Sequence, residues 1–405
     1  MKNAVTTRKV LTTEGPEAII ISIAMKFIDT PEGLKRSLEM IKPAAEIGVD
    51  LEADSLYHYF EKICLIQLNP DDRPVIIEPL GDLDLSPLLS QLAGKMLIFH
   101  GADYDLRLLI KGFGFVPSRI FDTMKAAQLL GFENIGLASL VEKYFGVCLS
   151  KSSQKMDWSE RPLKNCMLEY AARDVLYLPA LKKLLEEELA SLGRLRWLTE
   201  SCEQIMASAA RNGETADPER EWRFKGTSAL SGKSLALARS LWYWREAEAK
   251  RVNRPAFKVI GNQTLLDLAV QGAGMSNDEL LKSVNLPRTF TGRRLTELLH
   301  ALNEGRSLPP SRWPGAKCAE RSGHSQRTDG VLVEKLREVR DLKSRELGIE
   351  PSLLAGKAAL LKIAAAKPRN LETIEDLRCL MKWQAGILGE GFLDAVRSYG
   401  RGRGK

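Results

Sequence analysis

Between Ile47 and Ser55 the chain reads IGVDLEADS, with an acid at every second position: Asp50, Glu52 and Asp54. A β-strand alternates its side chains between two faces, so an extended segment here turns all three carboxylates one way and Val49, Leu51 and Ala53 the other. Such a row is either a solvated strand edge or a cation site. The following run ICLIQL reads as an apolar partner strand, which puts the acids well inside a sheet. Clustered carboxylates in that position repel one another unless a cation sits among them.

Two later segments carry acids in comparable settings. In LIFHGADYDLRLLI an apolar strand enters a glycine turn and then an amphipathic helix, leaving Asp103 or Asp105 near the strand's carboxyl end. Asp103 has a local explanation as a helix N-cap. Asp105 lies one turn in, among Leu106, Leu108 and Leu109, and has less. In LEYAARDVLYLPAL, Tyr170 and Asp174 are four apart and share one helix face. A Tyr and an Asp on one helix are unremarkable alone; the combination of the three segments, in this order, gives them weight.

The elements that must position these groups alternate along the first half. FIDTPEGLKRSLEMI reads as a strand end, a Thr-Pro helix start and an amphipathic helix. EIGVDLEAD, KICLIQLNP, RPVIIEPL and KMLIFHG read as strands. YDLRLLIKGFG, FDTMKAAQLLG and ASLVEKYFGV read as helices, and NCMLEYAARDVLYLPALKKLLEEEL as one long helix. The pattern is that of a mixed α/β sheet covered by helices.

Beyond about residue 191 helical spacing takes over and an internal repeat appears. Arg245 to Ala269 aligns without a gap on Arg340 to Ala364 at an offset of 95, matching Val252 with Leu347 and Gly261 with Gly356. Each copy reads as a charged helix, a Pro-containing turn and a second helix. Between the copies, EGRSLPPSRWPGAKCAERSGHSQRTDG has the composition of a flexible linker. These signals divide the chain into an α/β domain (21–190), a helical connector (191–225), a helical domain (226–305), a linker (306–330) and a second helical domain (331–400).

The 405 residues carry a net charge of +7. Residues 1–190 hold 22 basic against 27 acidic residues, so the basic surplus sits in the second half. That asymmetry suits an acidic catalytic domain joined to nucleic-acid-binding modules, although basic halves also occur as plain solvated surface. The six scattered cysteines and four histidines give no zinc or disulfide pattern. No membrane span or leader peptide is read, and a cytoplasmic location is expected. GTSALSGKS is similar to a phosphate-binding loop but has Thr227 where that loop needs Gly, so no nucleotide cofactor is expected.

The order D-x-E, Asp, Y-x-x-x-D resembles the DEDD superfamily of 3′-to-5′ exonucleases in its tyrosine form; the histidine form would place His at Glu169. HGADYDL, FDTMKAAQLLG, DWSERPL (Asp157 to Leu163) and YAARDVLYL narrow the resemblance to the ribonuclease D family, and the two repeated modules resemble HRDC domains. The resemblance implies a ribonuclease H-like mixed sheet flanked by helices, followed by two small all-α domains. It implies two divalent metal ions, Mg²⁺ or Mn²⁺, held by Asp50, Glu52, Asp105 and Asp174, with Glu52 and Tyr170 as catalytic residues. Asp54 and Asp103 fall outside that set. The implied activity is 3′-to-5′ trimming of structured RNAs such as tRNA precursors, releasing nucleoside 5′-monophosphates. A DNA exonuclease and an inactive binding scaffold are the alternatives. Candidates for gripping the strand are His100, Tyr104 and Trp158 near the motifs and Arg245, Arg251, Arg254 and Lys258 in the first helical module; aromatics in such runs are more often core, and the cations are as well explained by solvated helix surface. No membrane partner is expected, and the assembly state stays open.

Overall fold

The computed structural model describes residues 25–150, 152–212, 221–315 and 330–402. Six strands form one mixed sheet: β1 (Lys26–Ile28), β2 (Glu46–Ala53), β3 (Ile63–Asn69), β4 (Val75–Ile77), β5 (Met96–Phe99) and β6 (Arg119–Asp122), in the order β1-β4-β3-β2-β5-β6. β2 pairs antiparallel with β3 and parallel with β5, so the acid-bearing strand is interior. Every residue of β3 is buried, as expected for a near-continuous apolar run covered on both faces.

Helices α1 (Pro31–Ile41), α2 (Ser86–Ala93), α3 (Asp103–Phe113), α4 (Thr123–Leu130), α5 (Leu137–Phe145), α6 (Asn165–Leu176), α7 (Leu178–Ser191) and α8 (Leu195–Asn212) accompany the sheet. α1 starts where Thr-Pro signals it: the Thr30 side chain accepts the Gly33 N–H, and Pro31 opens the helix. Two expectations need correction. The long helix from Asn165 is two, broken at Tyr177 just before Pro179, because proline lacks the N–H that would continue the hydrogen-bond ladder. The segment RIFD, ahead of α4, adds a sixth strand that four residues were too few to announce.

The repeat is structural. The helices Gly232–Val252, Ala256–Val259 and Asn262–Gly272 recur, at the 95-residue offset, as the helix ending at Leu347, Pro351–Leu354 and Lys357–Ala366. In both copies glycine, Gly261 or Gly356, is the N-cap of the third helix. Of the expected linker, 316–329 lies outside the described residues; ahead of it the helix Gly292–Ser307 and the turn Pro310–Arg312 are regular. Parts of the expected connector (213–220), of the chain before residue 25 and of the tail also lie outside them. No helix among the described residues is long and apolar enough to cross a membrane.

The chain falls into two compact units. One gathers the described residues up to 53, 63–212 and 330–402; the other gathers 54–62 and 221–315. In the first, the second helical module shares a continuous core with the sheet domain. Arg194 ties them, its guanidinium donating to Leu129 O at 2.6 Å and Leu347 O at 2.7 Å, while Trp197 stacks on Trp383 at 4.8 Å. Backbones meet at Gly131, in the left-handed conformation (φ 85°), where an added Cβ would lie 2.0 Å from the carbonyl oxygen of Gly348. Gly131→Ala should therefore destabilise the fold by about 2 kcal/mol or more, left-handed strain alone costing roughly 1–2 kcal/mol. A urea midpoint equal to that of the wild type would show that this contact does not constrain the fold.

Candidate metal centre and active site

The ladder between β2 and β3 sets the site. Asp50 pairs with Gln67, Glu52 with Leu65 and Gly48 with Asn69, so these six side-chain positions share one face of the sheet. A register shift between Glu52 and Ala53 ends the row there. Asp54, expected to point with the other two, instead closes a loop, accepting the Lys62 N–H at 2.7 Å and meeting His58 Nδ1 at 3.1 Å. The bulge answers half of the puzzle of three aligned acids: only two share the strand face.

Helix α6 lies on that face through Met167, Ala171, Ala172 and Val175, which are buried; the two alanines permit close approach. It delivers Asp174 to Asp50 and Glu52, with carboxylate oxygens of all three within 4.8 Å of one another. The joint between α6 and α7 is pinned to the strands beside them. Asn69 donates its amide to Val175 O at 3.1 Å and Leu176 O at 2.9 Å. The usual helical donor to Val175 O would be residue 179, a proline without an N–H. Gly48 leaves room for the joint, since a Cβ there would sit 3.1 Å from both Val175 O and the Leu178 side chain. The sequence reading passed over Asn69 and Gly48; the Asn at the end of LIQLN was the available signal.

Asp105 is carried by the first turn of α3. That helix has no side-chain cap of its own; Asp122, at the end of β6, accepts the Gly101 N–H at 3.0 Å and the Ala102 N–H at 2.9 Å while also capping α4. Asp122 was likewise overlooked, although Asp-Thr before an apolar helix is an N-cap signature. Asp105 is buried and feels the charge of Asp50, but it stands outside the trio that shares the 4.8 Å limit. Asp103 is exposed and paired with Arg107.

The electrostatics of the four acids are set by burial and by their closeness to one another. None of Asp50, Glu52, Asp105 and Asp174 forms a salt bridge among the described residues. Burial pushes Asp50 up to about 7. Burial, then the neighbouring Asp50, Asp174 and Asp105, pushes Glu52 up to about 10. Burial and Asp50 push Asp174 up to about 8, and Asp105 also rises well above the usual carboxylate range, mainly through burial. Tyr170 is shifted upward by burial and by Asp174, so its hydroxyl keeps its proton and donates to the Asp174 carboxylate. A set of oxygen donors without such a salt bridge fits a hard divalent cation such as Mg²⁺ or Mn²⁺.

The expected strand-gripping residues divide. Trp158 is 1% exposed and packs against Tyr170 at 6.0 Å between ring centres, so it supports the tyrosine and presents no face to a base. Arg245 is 6% exposed, with its guanidinium bound to Asn262 and Glu246. The corresponding Arg340 binds Ala355 O and Asp341, so this repeat position fastens each module internally. Arg251 is held in a two-pronged pair with the buried Glu248. His100 receives no useful charge: burial lowers it to about 4, and its Nδ1 faces Thr123 Oγ1, whose proton goes to Phe99 O. Tyr104, Arg254 and Lys258 are exposed.

Comparison with known proteins agrees with this geometry. A 3′-5′ exonuclease domain family matches residues 25–190, and the HRDC domain family matches 234–302 and 329–396. Ribonuclease D of Granulibacter bethesdensis is 30% identical over 352 residues, 86% of each chain. The chain belongs to the ribonuclease D family. Ribonuclease D of a Jannaschia species is 32% identical over 328 residues, 79% of this chain and 83% of that one. The crystal structure of Escherichia coli RNase D, described as an exoribonuclease involved in structured RNA processing, superposes with a TM-score of 0.71 at 25% identity, covering 93% of this chain and 99% of that one. As a member of the ribonuclease D family the protein is a 3′-5′ exoribonuclease: RNA is its substrate and divalent metal ions are its cofactors.

The raised carboxylates give a stability signature. In the unfolded chain these acids ionise near pH 4, whereas the folded protein resists ionising them until about pH 7 to 10, so without metal their contribution to stability is lost as pH rises through that window. With chelator the Tm should fall between pH 5 and pH 9, and saturating Mn²⁺ should raise it more at pH 9 than at pH 6. A metal-induced shift that is absent, or equal at both values, would contradict a cation-dependent acid cluster.

Proposed function

We propose that the enzyme trims the 3′ ends of structured RNAs, tRNA precursors among them, and that Asp50, Glu52 and Asp174, with Asp105 near them, hold two divalent ions there. The observation that carries this is the trio of carboxylates within 4.8 Å, without a salt bridge among the described residues and standing at the D-x-E and Y-x-x-x-D positions of the family. Bound ions supply the activation of water and the stabilisation of the leaving oxygen that phosphodiester hydrolysis requires. The chain's part is placement. β2 fixes Asp50 and Glu52, Asn69 fixes the α6 end that carries Asp174, and Asp122 fixes the turn that leads to Asp105.

Tyr170 works as a donor. Its hydroxyl stays protonated and is held by Asp174; when the Asp174 carboxylate turns to a bound ion, that O–H is freed to orient a water or a phosphate oxygen, and the tyrosine takes no proton from either. Release of nucleoside 5′-monophosphates follows when water attacks the last phosphate and the bond from its phosphorus to the 3′-oxygen of the preceding nucleotide breaks, that oxygen leaving as the new 3′-hydroxyl. Tyr104, Arg254 and Lys258 are the surface groups available for contact with the RNA. The five described cysteines are free thiols, consistent with a reducing, cytoplasmic setting.

Asp50→Asn and Asp174→Asn should each reduce hydrolysis of a 3′-extended tRNA by at least about 100-fold, beyond the roughly 10- to 100-fold cost of losing a group that only supports a metal ligand. RNA binding, measured in chelator, should persist in both. Near wild-type trimming by either variant, or digestion of a matched DNA in preference to the RNA, would overturn the proposal.

A further inference from the structure

Of the chain's twelve phenylalanines, only Phe60 and Phe257 stand exposed, at 55% and 57%. Both belong to the second compact unit. Phe60 lies in segment 54–62, which leaves the sheet after β2 and groups with the first helical module; Phe257 lies on the helix Ala256–Val259 of that module.

The segment is fastened where it carries its rings. Asn253 Oδ1 accepts the backbone N–H groups of both Tyr59 and Phe60, each at 3.2 Å, and the Tyr59 hydroxyl donates to Glu246 at 3.1 Å. Lys258 Nζ stands 4.1 Å from the centre of the Tyr57 ring, and Lys250 Nζ stands 5.8 Å from that of Tyr59. Asn253 caps the helix Gly232–Val252 in the left-handed conformation (φ 47°), which Asn and Gly adopt most readily; of the two, only Asn also brings an amide oxygen to hold the loop. At its base, Asp54 closes the loop through Lys62 N and His58. Lys250, Arg254 and Lys258 are exposed around these aromatics.

Exposed rings on a pre-ordered loop, interleaved with lysine and arginine, match the way proteins hold unpaired nucleic acid: bases stack on aromatic faces while cations follow the phosphates. We propose that Phe60 and Phe257, with Lys250, Arg254 and Lys258, form a stacking platform for the unpaired 3′-terminal segment of the RNA. The proposal rests on the assignment of the chain as an exonuclease acting on RNA 3′ ends. Phe60 follows Glu52 by eight residues, so the platform is tied covalently to the strand that carries the catalytic acids. The surrounding positive charge favours a phosphate-bearing strand over a protein surface as its occupant.

The test uses the full-length protein in chelator, so that binding is read without cleavage. Labelled oligo(A) of about 12 nucleotides, within the usual range of single-strand sites, should bind the double variant Phe60→Ala/Phe257→Ala at least about tenfold more weakly than wild type. A blunt-ended hairpin RNA should bind both alike. Asn253→Gly, which keeps the left-handed backbone and removes the loop's anchor, should raise KM for a long single strand with metal present while leaving kcat for a dinucleotide unchanged. Equal oligo(A) affinity in wild type and double variant would overturn the platform and leave the exonuclease assignment intact. Failure of the wild type to bind or cleave any RNA would overturn that assignment. A dimer that the double variant converts to monomer at unchanged RNA affinity would make this face a contact between copies, and would also overturn the platform.

Discussion

A cluster of buried carboxylates with no basic partner among the described residues is the constraint on which the rest of this structure depends. Asp50, Glu52 and Asp174 converge within a few ångströms, and Asp105 adds its field from α3. A fold optimised only for its own stability would pair such groups with arginine or lysine or replace them with apolar side chains. Here the surroundings are alanines, a buried glutamine, the Tyr170 hydroxyl and apolar strand residues, and no salt bridge among the described residues compensates the acids. The stability given up is the condition for strong metal binding, because a site neutralised internally would gain little from a cation.

Holding mutually repelling groups together requires supports that do not yield. Three of them act on backbone. Asn69 gives the end of α6 a donor where Pro179 withholds one, Gly48 lets that end sit against β2, and Asp122 caps the turn before α3 as well as its own helix. Gln67 is a different case: it faces Asp50 across the ladder, fully buried, with neither end of its amide hydrogen-bonded. Its place beside the acids would let it hydrogen-bond water carried by ions held there.

Much of this was legible from the chain, for identifiable reasons. The period-two acids, the apolar strand after them and the four-residue spacing of Tyr170 and Asp174 are local patterns, and local patterns survive folding. What failed depended on contacts between segments. Asp54 obeys the same alternation as Asp50 until a bulge, set by pairing with β3, takes it out of the row. Trp158 and Arg245 have the chemistry of nucleic-acid contacts, but whether an aromatic or an arginine faces water is decided by what packs over it, here Tyr170 and Asn262. The break at Tyr177 was readable at Pro179; leucine and glutamate periodicity running through it made two helices look like one. The 95-residue repeat disclosed the two helical modules, but not that the second would share a core with the sheet domain through Arg194 and Trp383.

The central claim, that these acids exist to hold divalent cations, is tested most directly by anomalous scattering from crystals of the enzyme grown with Mn²⁺ and a non-hydrolysable RNA 3′ end. The account requires anomalous peaks in contact with the carboxylates of Asp50, Glu52 and Asp174, beside the terminal phosphate. Manganese bound elsewhere, with these carboxylates protonated and bonded to one another, would contradict it.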